Sequence, residues 1–146
     1  VPTAIEKSFK FFIGPSREAV KVTGRWDRID DVEGEVCVID YKSSNIQTQK
    51  KADDETKKSL QLSLYALAYR EQHGKMPDRL ELHFLESGRI GRTQKTDRDL
   101  EKTAELIQKV ASGIKGGDFA ARPTYMACRY CAYQDICPYT RFGKDT

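Results

Sequence analysis

The stretch Gly24–Lys42 reads GRWDRIDDVEGEVCVIDYK and decides the predicted fold. Apolar and polar residues alternate in its first part, as far as Asp27. The run Val36–Lys42 is nearly all apolar or aromatic until Asp40 interrupts it. Alternation with a period of two is typical of a half-buried strand, and a short apolar run fits a buried strand. We therefore predict an antiparallel hairpin with its turn near Val32–Glu33.

Three charged side chains of this hairpin are predicted to converge. Residues two apart on a strand point to the same face, so Asp40 and Lys42 share one side. Counting back from the turn, Asp27 lies opposite roughly Val38 to Asp40. Two adjacent carboxylates repel, and a divalent cation such as Mg²⁺ or Mn²⁺ removes that conflict while Lys42 orients or deprotonates a water. From these residues alone, an ordinary surface hairpin with an Asp–Lys pair is the alternative.

Composition limits the class of protein. The chain has 146 residues, which is a one-domain length, and 38% hydrophobic with 32% charged residues fits a polar globular protein. No apolar run approaches the roughly 18 residues of a membrane span, and no signal-peptide pattern opens the chain. A net charge of +3 does not by itself predict nucleic acid. We expect a cytoplasmic location and no membrane partner, and the start at Val1 without Met suggests a piece of a longer polypeptide.

The rest of the chain predicts strands alternating with helices. Strands are expected within residues 3–13, 19–28, 79–86 and 90–93, and helices over 59–74 and 97–114. This order favours an α/β fold with a central mixed β-sheet flanked by helices. Residues 43–58 are polar and are predicted to be a long exposed connection, whose lysines are candidate DNA-binding residues: Lys50, Lys51, Lys57 and Lys58.

Apolar positions within these elements predict which faces are buried. The helix over 59–74 is expected to bury Leu60, Leu64, Leu67 and Ala68 and to end at Gly74. The strand over 79–86 is expected to point Leu80, Leu82 and Phe84 inward. The helix over 97–114 is expected to have Asp97 as its N-cap and to bury Leu100, Ala104, Ile107, Val110 and Ile114.

Residues 123–139, PTYMACRYCAYQDICPY, form a cysteine module. Cys128, Cys131 and Cys137 have the spacing C-x₂-C-x₅-C, so several thiolates can reach one metal centre. Three ligands are one short, and we expect Cys37 to have a core role and the fourth ligand to lie upstream of this chain. Zinc and an iron–sulfur cluster are both possible with four thiolates, and reduced cysteines without a metal are the alternative.

Together these motifs resemble the PD-(D/E)XK nuclease superfamily, and specifically its RecB-like branch. The matching residues are, in order, Gly24-Arg-Trp-Asp27, Ile39-Asp-Tyr-Lys42, Gln61-Leu-Ser-Leu-Tyr65 and the terminal cysteines. In that branch the order is GxxD, (D/E)xK, QxxxY and a cysteine-containing end. Each motif alone is weak, whereas four in this order cover nearly the whole chain.

The resemblance implies a role for each matching residue. Asp27 and Asp40 would hold Mg²⁺ or Mn²⁺, helped by the backbone carbonyl of Tyr41. Lys42 would position or activate the attacking water. The cysteines would hold a 4Fe–4S cluster, with zinc as the less favoured metal.

Gln61 and Tyr65 would orient the active site and contact the DNA backbone. The resemblance also implies a restriction-endonuclease-like core and hydrolysis of DNA phosphodiester bonds, usually as an exonuclease. The motif sequences of this chain are most similar to those of nucleases fused to superfamily 1 UvrD-like helicases, which act in DNA repair or recombination. On this basis residues 1–122 form the nuclease core and residues 123–146 the cysteine module.

Two departures from the family pattern lie on the N-terminal side. No histidine precedes Asp27, although related active nucleases usually have one that completes the metal site, and the first cysteine of the family is also absent unless Cys37 takes its place. Both gaps favour truncation of a longer protein, and they leave open whether this chain alone is active. The alternatives are a nuclease-like DNA-binding scaffold without hydrolysis and a zinc-ribbon interaction module.

Overall fold

The computed structural model describes residues 2–141 of the chain. Within them lie strands β1 (Pro2–Ile5), β2 (Ser8–Ile13), β3 (Val20–Arg25), β4 (Arg28–Val32), β5 (Glu35–Lys42), β6 (Arg79–Phe84) and β7 (Arg89–Thr93). The helices are α1 (Gln49–Lys58), α2 (Leu60–His73), α3 (Asp97–Lys115) and α4 (Tyr125–Arg129). The predicted α/β class is confirmed.

Five strands form the central sheet, in the order β1-β4-β5-β6-β7. β5 and β6 are parallel, and the other neighbours are antiparallel. Because parallel neighbours need a crossover, the chain between them has room for helices, and both α1 and α2 lie in this connection. α1 packs against β6 and β7, and α2 packs against β5 and β6. The predicted mixed sheet flanked by helices is therefore confirmed.

The strands predicted over 3–13 and 19–28 are each divided between two sheets. β2 and β3 pair with each other as a separate two-stranded ribbon, whereas β1 and β4 belong to the central sheet. The chain leaves the ribbon at Trp26, whose backbone N–H donates to the carbonyl of Lys7 at 3.0 Å. The Trp26 side chain is fully buried at this junction. The division places Asp27 between the ribbon and the central sheet.

The predicted hairpin is formed by β4 and β5, with its turn one residue later than expected. Glu33 and Gly34 both have positive φ, 56° and 90°. Two consecutive residues in this region are the requirement of a type I′ turn, whose twist matches that of the flanking strands. The Gly34 N–H also donates to Asp31 Oδ1 at 3.0 Å, which fixes the turn.

The prediction that residues 43–58 form an exposed connection is wrong for its second part, which is α1. The Thr48 hydroxyl caps this helix, and its buried residues are Ala52 and Thr56. A Cβ at Gly91 of β7 would overlap Thr56 Oγ1 and the carbonyl oxygen of Ala52. Small residues therefore let α1 lie directly on the sheet without a large apolar side chain.

The helix predicted over 59–74 is present as α2, and it ends at Gly74 with φ 70° as expected. Its predicted apolar stripe is only partly correct, because Leu60 is exposed. α2 lies between the central sheet and the ribbon and contacts both, so residues on two sides are buried. They are Leu62, Ser63, Tyr65, Ala66, Leu67, Ala68 and Tyr69.

Two predictions for α3 are wrong. Thr96, not Asp97, caps the helix: its hydroxyl accepts from the Asp99 N–H at 3.3 Å, and Asp99 Oδ2 accepts from the Thr96 N–H at 2.9 Å. This reciprocal pair is a capping box. Leu100 is buried as expected, but Val110 is 52% exposed, so the apolar stripe is buried only in its first half.

The chain divides into two compact units, Val1–Ala111 and Ser112–Thr146. The first contains both sheets and helices α1 and α2, and the second contains α4 and the cysteine module. The assignment of 1–122 to a nuclease core and 123–146 to a cysteine module stays a prediction. Along residues 2–141 the structure contains no helix of the length and apolar character that a membrane crossing needs.

Candidate active site

Asp27 and Asp40 lie side by side at the edge of the β4–β5 hairpin. Arg28 pairs with Ile39 in antiparallel register, so Asp27, which precedes Arg28, lies opposite Asp40, which follows Ile39. The backbone N–H of Tyr41 donates to Asp27 Oδ2 at 3.0 Å. This hydrogen bond ties the first carboxylate to the strand that carries the second. The predicted juxtaposition is therefore present.

Asp40 is a buried carboxylate whose charge is incompletely compensated. It is 1% exposed. Burial raises the pKa of Asp40; the contact with Lys42 lowers it, and the nearby Asp27 raises it further. Oδ2 lies 2.6 Å from Lys42 Nζ, and Lys42 is the only cationic partner of Asp40 among the described residues. An additional cation at this carboxylate would offset the cost of burial.

Gln61 on α2 connects the carboxylate to the lysine. Its Oε1 accepts from Lys42 Nζ at 2.6 Å, and its Nε2 donates to Asp40 Oδ1 at 2.6 Å and to the Tyr65 hydroxyl at 3.0 Å. The amide thus uses its carbonyl and both of its N–H donors. Because the Lys42 ammonium can only donate, the carbonyl oxygen of the Gln61 amide must face Lys42. The orientation of this amide is therefore determined by its partners.

Tyr65 closes the network towards the first carboxylate. Gln61 and Tyr65 are one helical turn apart, so both face the sheet. Burial is the main cause that raises the pKa of Tyr65, and the neighbouring Asp27 and Asp40 raise it further. The structure therefore brings together all five predicted side chains: Asp27, Asp40, Lys42, Gln61 and Tyr65.

A buried aromatic cluster supports this network from below. Trp26 Nε1 donates to the backbone carbonyl of Tyr65 at 3.3 Å. The Phe9 ring lies 4.7 Å from the Trp26 ring and 5.9 Å from the Tyr65 ring, measured between centroids. Gly24 leaves the space for Phe9, because a Cβ there would lie 2.3 Å from its Cζ atom. This close approach is the physical reason for glycine three residues before Asp27.

The donor chemistry at the hairpin fits a hard divalent cation. Carboxylate oxygens are the ligands that Mg²⁺ and Mn²⁺ prefer, and the buried Asp40 carboxylate lies beside a second carboxylate with one lysine to balance the two. Nowhere in residues 2–141 do three or more His, Cys, Asp or Glu side chains cluster closely enough to hold a metal ion. The hairpin therefore supplies two carboxylates, and backbone oxygen or water must complete the coordination.

The structure does not bring the three predicted cysteines together as a ready ligand set. Cys128 is buried on α4, Cys131 is exposed, and Cys137 is intermediate. Cys37 is buried in β5, and burial is the main cause that raises the pKa of its thiol to about 11. A buried thiol with a raised pKa fits the core role predicted for Cys37.

The candidate DNA-binding lysines lie on α1 rather than on a loop. All four are exposed: Lys50, Lys51, Lys57 and Lys58. Three acidic residues of the same helix are interleaved with them, so α1 carries a net charge of only +1. The structure gives no contact between these lysines and the carboxylate network among the contacts of the described residues.

Sequence reasoning missed a second charged cluster, on the other face of the sheet. Glu81 is 6% exposed, and it contacts Arg79 Nε at 2.8 Å, His83 Nε2 at 2.8 Å and Arg92 Nε at 3.1 Å. Burial raises the pKa of Glu81, but the hydrogen bond with His83 and the charges of the two arginines outweigh it and lower the pKa. The alternation in β6 had assigned Glu81 to the face opposite the leucines without indicating burial.

Comparison with known proteins identifies the family. The sequence model of the PD-(D/E)XK nuclease superfamily matches residues 1–138, and the chain belongs to this superfamily. Gene 69 protein of Mycobacterium phage L5 is 29% identical over 128 residues, which are 83% of this chain and 41% of the phage protein. The crystal structure of SSO0001 matches 92% of this chain and 59% of its own, with a TM-score of 0.56 and 18% identity, which is a likeness of fold. The chain spans less than two thirds of either protein.

Proposed function

We propose that this chain is a metal-dependent DNA nuclease domain that hydrolyses phosphodiester bonds, acting as an exonuclease. The observation that carries the proposal is the network around Asp40. A carboxylate that is 1% exposed lies beside Asp27, and Lys42 is its only cationic partner among the described residues. A protein has little reason to retain this costly arrangement unless a cation and a reaction use it.

Asp27, Asp40 and the backbone carbonyl of Tyr41 are the proposed metal-holding groups. When bound there, Mg²⁺ or Mn²⁺ would supply Lewis-acid chemistry, neutralising charge on a phosphate and lowering the pKa of a water. The Tyr41 N–H holds Asp27 through its Oδ2 atom. Gln61 holds Asp40 through its Oδ1 atom, which leaves Oδ2 facing Lys42. Each carboxylate is thus oriented before any ligand arrives.

Lys42 is the proposed group that positions the attacking water. A lysine ammonium has three N–H donors, and two of its close partners here are Asp40 Oδ2 and Gln61 Oε1. Its side chain is 34% exposed, so the remaining donor can reach a water or a phosphate oxygen. Such a fixed donor stabilises negative charge that develops on a phosphate during hydrolysis.

Gln61 and Tyr65 are proposed to keep this geometry and to contact the DNA backbone. Gln61 links Lys42, Asp40 and Tyr65 through one amide group. Because α2 is packed between two sheets, this amide is held on a rigid element. Supporting groups of this kind typically contribute about 10- to 100-fold in metal affinity or activity.

Two further parts of the proposal depend on the sequence resemblance. Cys128, Cys131 and Cys137 would hold a 4Fe–4S cluster or zinc together with a fourth thiolate, and anaerobically purified protein would then show visible absorption if the metal is iron. The chain would work with a helicase module in DNA repair or recombination in the cytoplasm. The α1 lysines Lys50, Lys51, Lys57 and Lys58 would add general affinity for DNA.

The test is cleavage of end-labelled DNA with Mg²⁺ or Mn²⁺ by the wild-type protein, by Asp40→Ala and by Asp54→Ala. Asp54 is an exposed acid on α1 and serves as the matched control. We expect metal-dependent cleavage that Asp40→Ala abolishes and Asp54→Ala retains. Cleavage that is unchanged in a folded Asp40→Ala protein would contradict the proposal. Absence of both cleavage and Mn²⁺ binding in the wild type would favour the DNA-binding scaffold.

A further inference from the structure

One face of the ribbon formed by β2 and β3 carries three cations and no acidic residue. The two strands pair in register, so residues that lie opposite one another share a face. All six side chains of this face are exposed: Ser8, Lys10, Phe12, Lys21, Thr23 and Arg25. We propose that this face, called the basic ribbon face below, binds the sugar–phosphate backbone of DNA and directs the strand to the site at Asp27.

The cations of the basic ribbon face are available to a ligand. Neither Lys10 nor Lys21 has a salt-bridge partner among residues 2–141. Arg25 lies 3.2 Å from Glu6, but both side chains are more than half exposed, and exposed pairs of this kind stabilise little. Helix α1, in contrast, carries three acidic residues between its two pairs of lysines. Charge complementarity to a polyanion is therefore greater on the ribbon.

The basic ribbon face ends two residues before Asp27 of the candidate active site. β3 ends at Arg25, and the chain passes through Trp26 to Asp27. Two residues of extended chain span about 7 Å, which is close enough for one DNA strand to contact both. The hydrogen bond from the Trp26 N–H to the Lys7 carbonyl extends the β2–β3 pairing beyond Arg25.

The ribbon also offers neutral groups that suit a nucleic acid. Ser8, Thr23 and the Gln72 amide line an open groove there, and hydroxyl and amide groups commonly donate to phosphates. Phe12 is 57% exposed and provides an apolar ring on which a base can stack. The opposite face is anchored by the buried side chains of Phe9, Phe11 and Ile13.

This inference rests on the proposed function, because it assigns part of the substrate path to the same site. Six residues of strand span about 20 Å, which is the length of several nucleotides. Lys10 and Lys21 should therefore matter for long DNA and be irrelevant to a substrate of two nucleotides.

The test compares two triple variants by fluorescence anisotropy with a labelled single strand of about 20 nucleotides, without divalent cations. Lys10→Gln, Lys21→Gln and Arg25→Gln remove the ribbon cations; Arg98→Gln, Lys102→Gln and Lys109→Gln remove three exposed cations of α3. Each phosphate contact contributes about 0.7 to the slope of log affinity against log salt. We expect the ribbon variant to bind about tenfold more weakly at about 50 mM salt, with a slope shallower by about 2. Equal loss in both variants, or none in either, would overturn the inference.

Two further measurements keep this result distinct from the fate of the proposed function. Cleavage of a dinucleotide should be unchanged in the double variant Lys10→Gln with Lys21→Gln, whose positions lie further along the ribbon, whereas KM for long DNA should rise about tenfold in the triple variant. If the wild type cleaves neither substrate, the proposed function fails while the anisotropy comparison still decides the inference. Lys10→Arg with Lys21→Arg keeps the charge and should bind like the wild type, and a loss equal to that of the Gln variant would contradict charge as the cause.

Discussion

Two buried carboxylates on neighbouring strands, Asp40 on β5 and Glu81 on β6, have opposite surroundings. Asp40 pairs in register with Leu82, so Asp40 and Glu81 point to opposite faces of the same sheet. Glu81 has three basic partners, and its pKa is lowered. Asp40 has one basic partner and a second carboxylate beside it, and its pKa is raised.

This difference separates a structural charge from a candidate functional one. The chain itself compensates Glu81, so that carboxylate needs no ligand to be stable. Asp40 is incompletely compensated, and an arrangement of this kind is typical of sites where an ion or substrate completes the charge balance. Burial alone does not distinguish the two, since both are less than 10% exposed.

The largest effect is expected from removing one basic partner at each carboxylate. Lys42→Met should lower DNA cleavage about 1,000-fold, roughly 4 kcal/mol of transition-state stabilisation, because the donor aimed at the phosphate is lost. Arg92→Met, at Glu81, should leave the rate within about twofold. Initial rates under saturating Mg²⁺ measure both. Comparable losses in the two folded variants would mean that the two clusters are not functionally different.

A smaller effect is expected from the amide that organises Asp40. Gln61→Ala should reduce cleavage about 10- to 100-fold, because Lys42 and Asp40 lose the group that connects them. Gln94 Nε2 donates a hydrogen bond to the backbone carbonyl of Asp78, away from this network, and provides the control. Gln94→Ala should retain the wild-type rate in the same assay. A full rate in Gln61→Ala would show that the network is not required.

Stability should respond in opposite directions at the two carboxylates. Glu81→Gln should lower the free energy of unfolding at neutral pH by about 1 to 3 kcal/mol, because it leaves two arginines and a histidine facing each other. Asp40→Asn should raise it in metal-free protein, because a buried charge beside Asp27 is removed. Chemical denaturation at pH 7 checks both signs. A decrease in both variants would contradict the comparison.

The smallest effect is the pH dependence of these differences. The pKa of Asp40 is raised above 3.8, the ordinary value for an aspartate. Metal-free wild type therefore loses stability as the pH rises from 3.8 through the pKa of Asp40 in the folded protein. Asp40→Asn should be more stable than wild type only above pH 3.8. The pKa of Glu81 is lowered below 4.5, the ordinary value for a glutamate. The ionised Glu81 therefore stabilises the fold above pH 4.5, and this stabilisation is lost as the pH falls through the pKa of Glu81 in the folded protein. The difference in the free energy of unfolding between wild type and Glu81→Gln should therefore disappear below pH 4.5. Parallel curves for the two variants would contradict these assignments.

The site could be predicted largely because a hairpin is regular. Once the turn near Glu33 is set, counting along two strands with a period of two places Asp27 opposite Asp40. The helical period places Gln61 and Tyr65 on one face of their helix, and their assignment to the site came from the resemblance to the nuclease family. The division at Trp26 could not be predicted, since pairing of β3 with β2 rather than with the central sheet depends on long-range packing.

Other parts of the fold escaped prediction for identifiable reasons. α1 docks through Ala52 and Thr56 against Gly91, which is a small-residue contact without an apolar period. Its sequence signal was the spacing of two small residues by one helical turn. The basic partners of Glu81 come from two strands, and no local sequence pattern predicts that Arg92 of β7 lies beside it.

Calorimetric titration with Mn²⁺ at pH 7 compares the metal affinity of wild type, Asp40→Asn and Glu81→Gln. We expect one site at the hairpin in wild type and in Glu81→Gln, and at least about tenfold weaker binding in Asp40→Asn. Circular dichroism on the same samples confirms that each variant is folded. Wild-type affinity in folded Asp40→Asn would contradict the claim that this buried, incompletely compensated carboxylate is the metal-binding one.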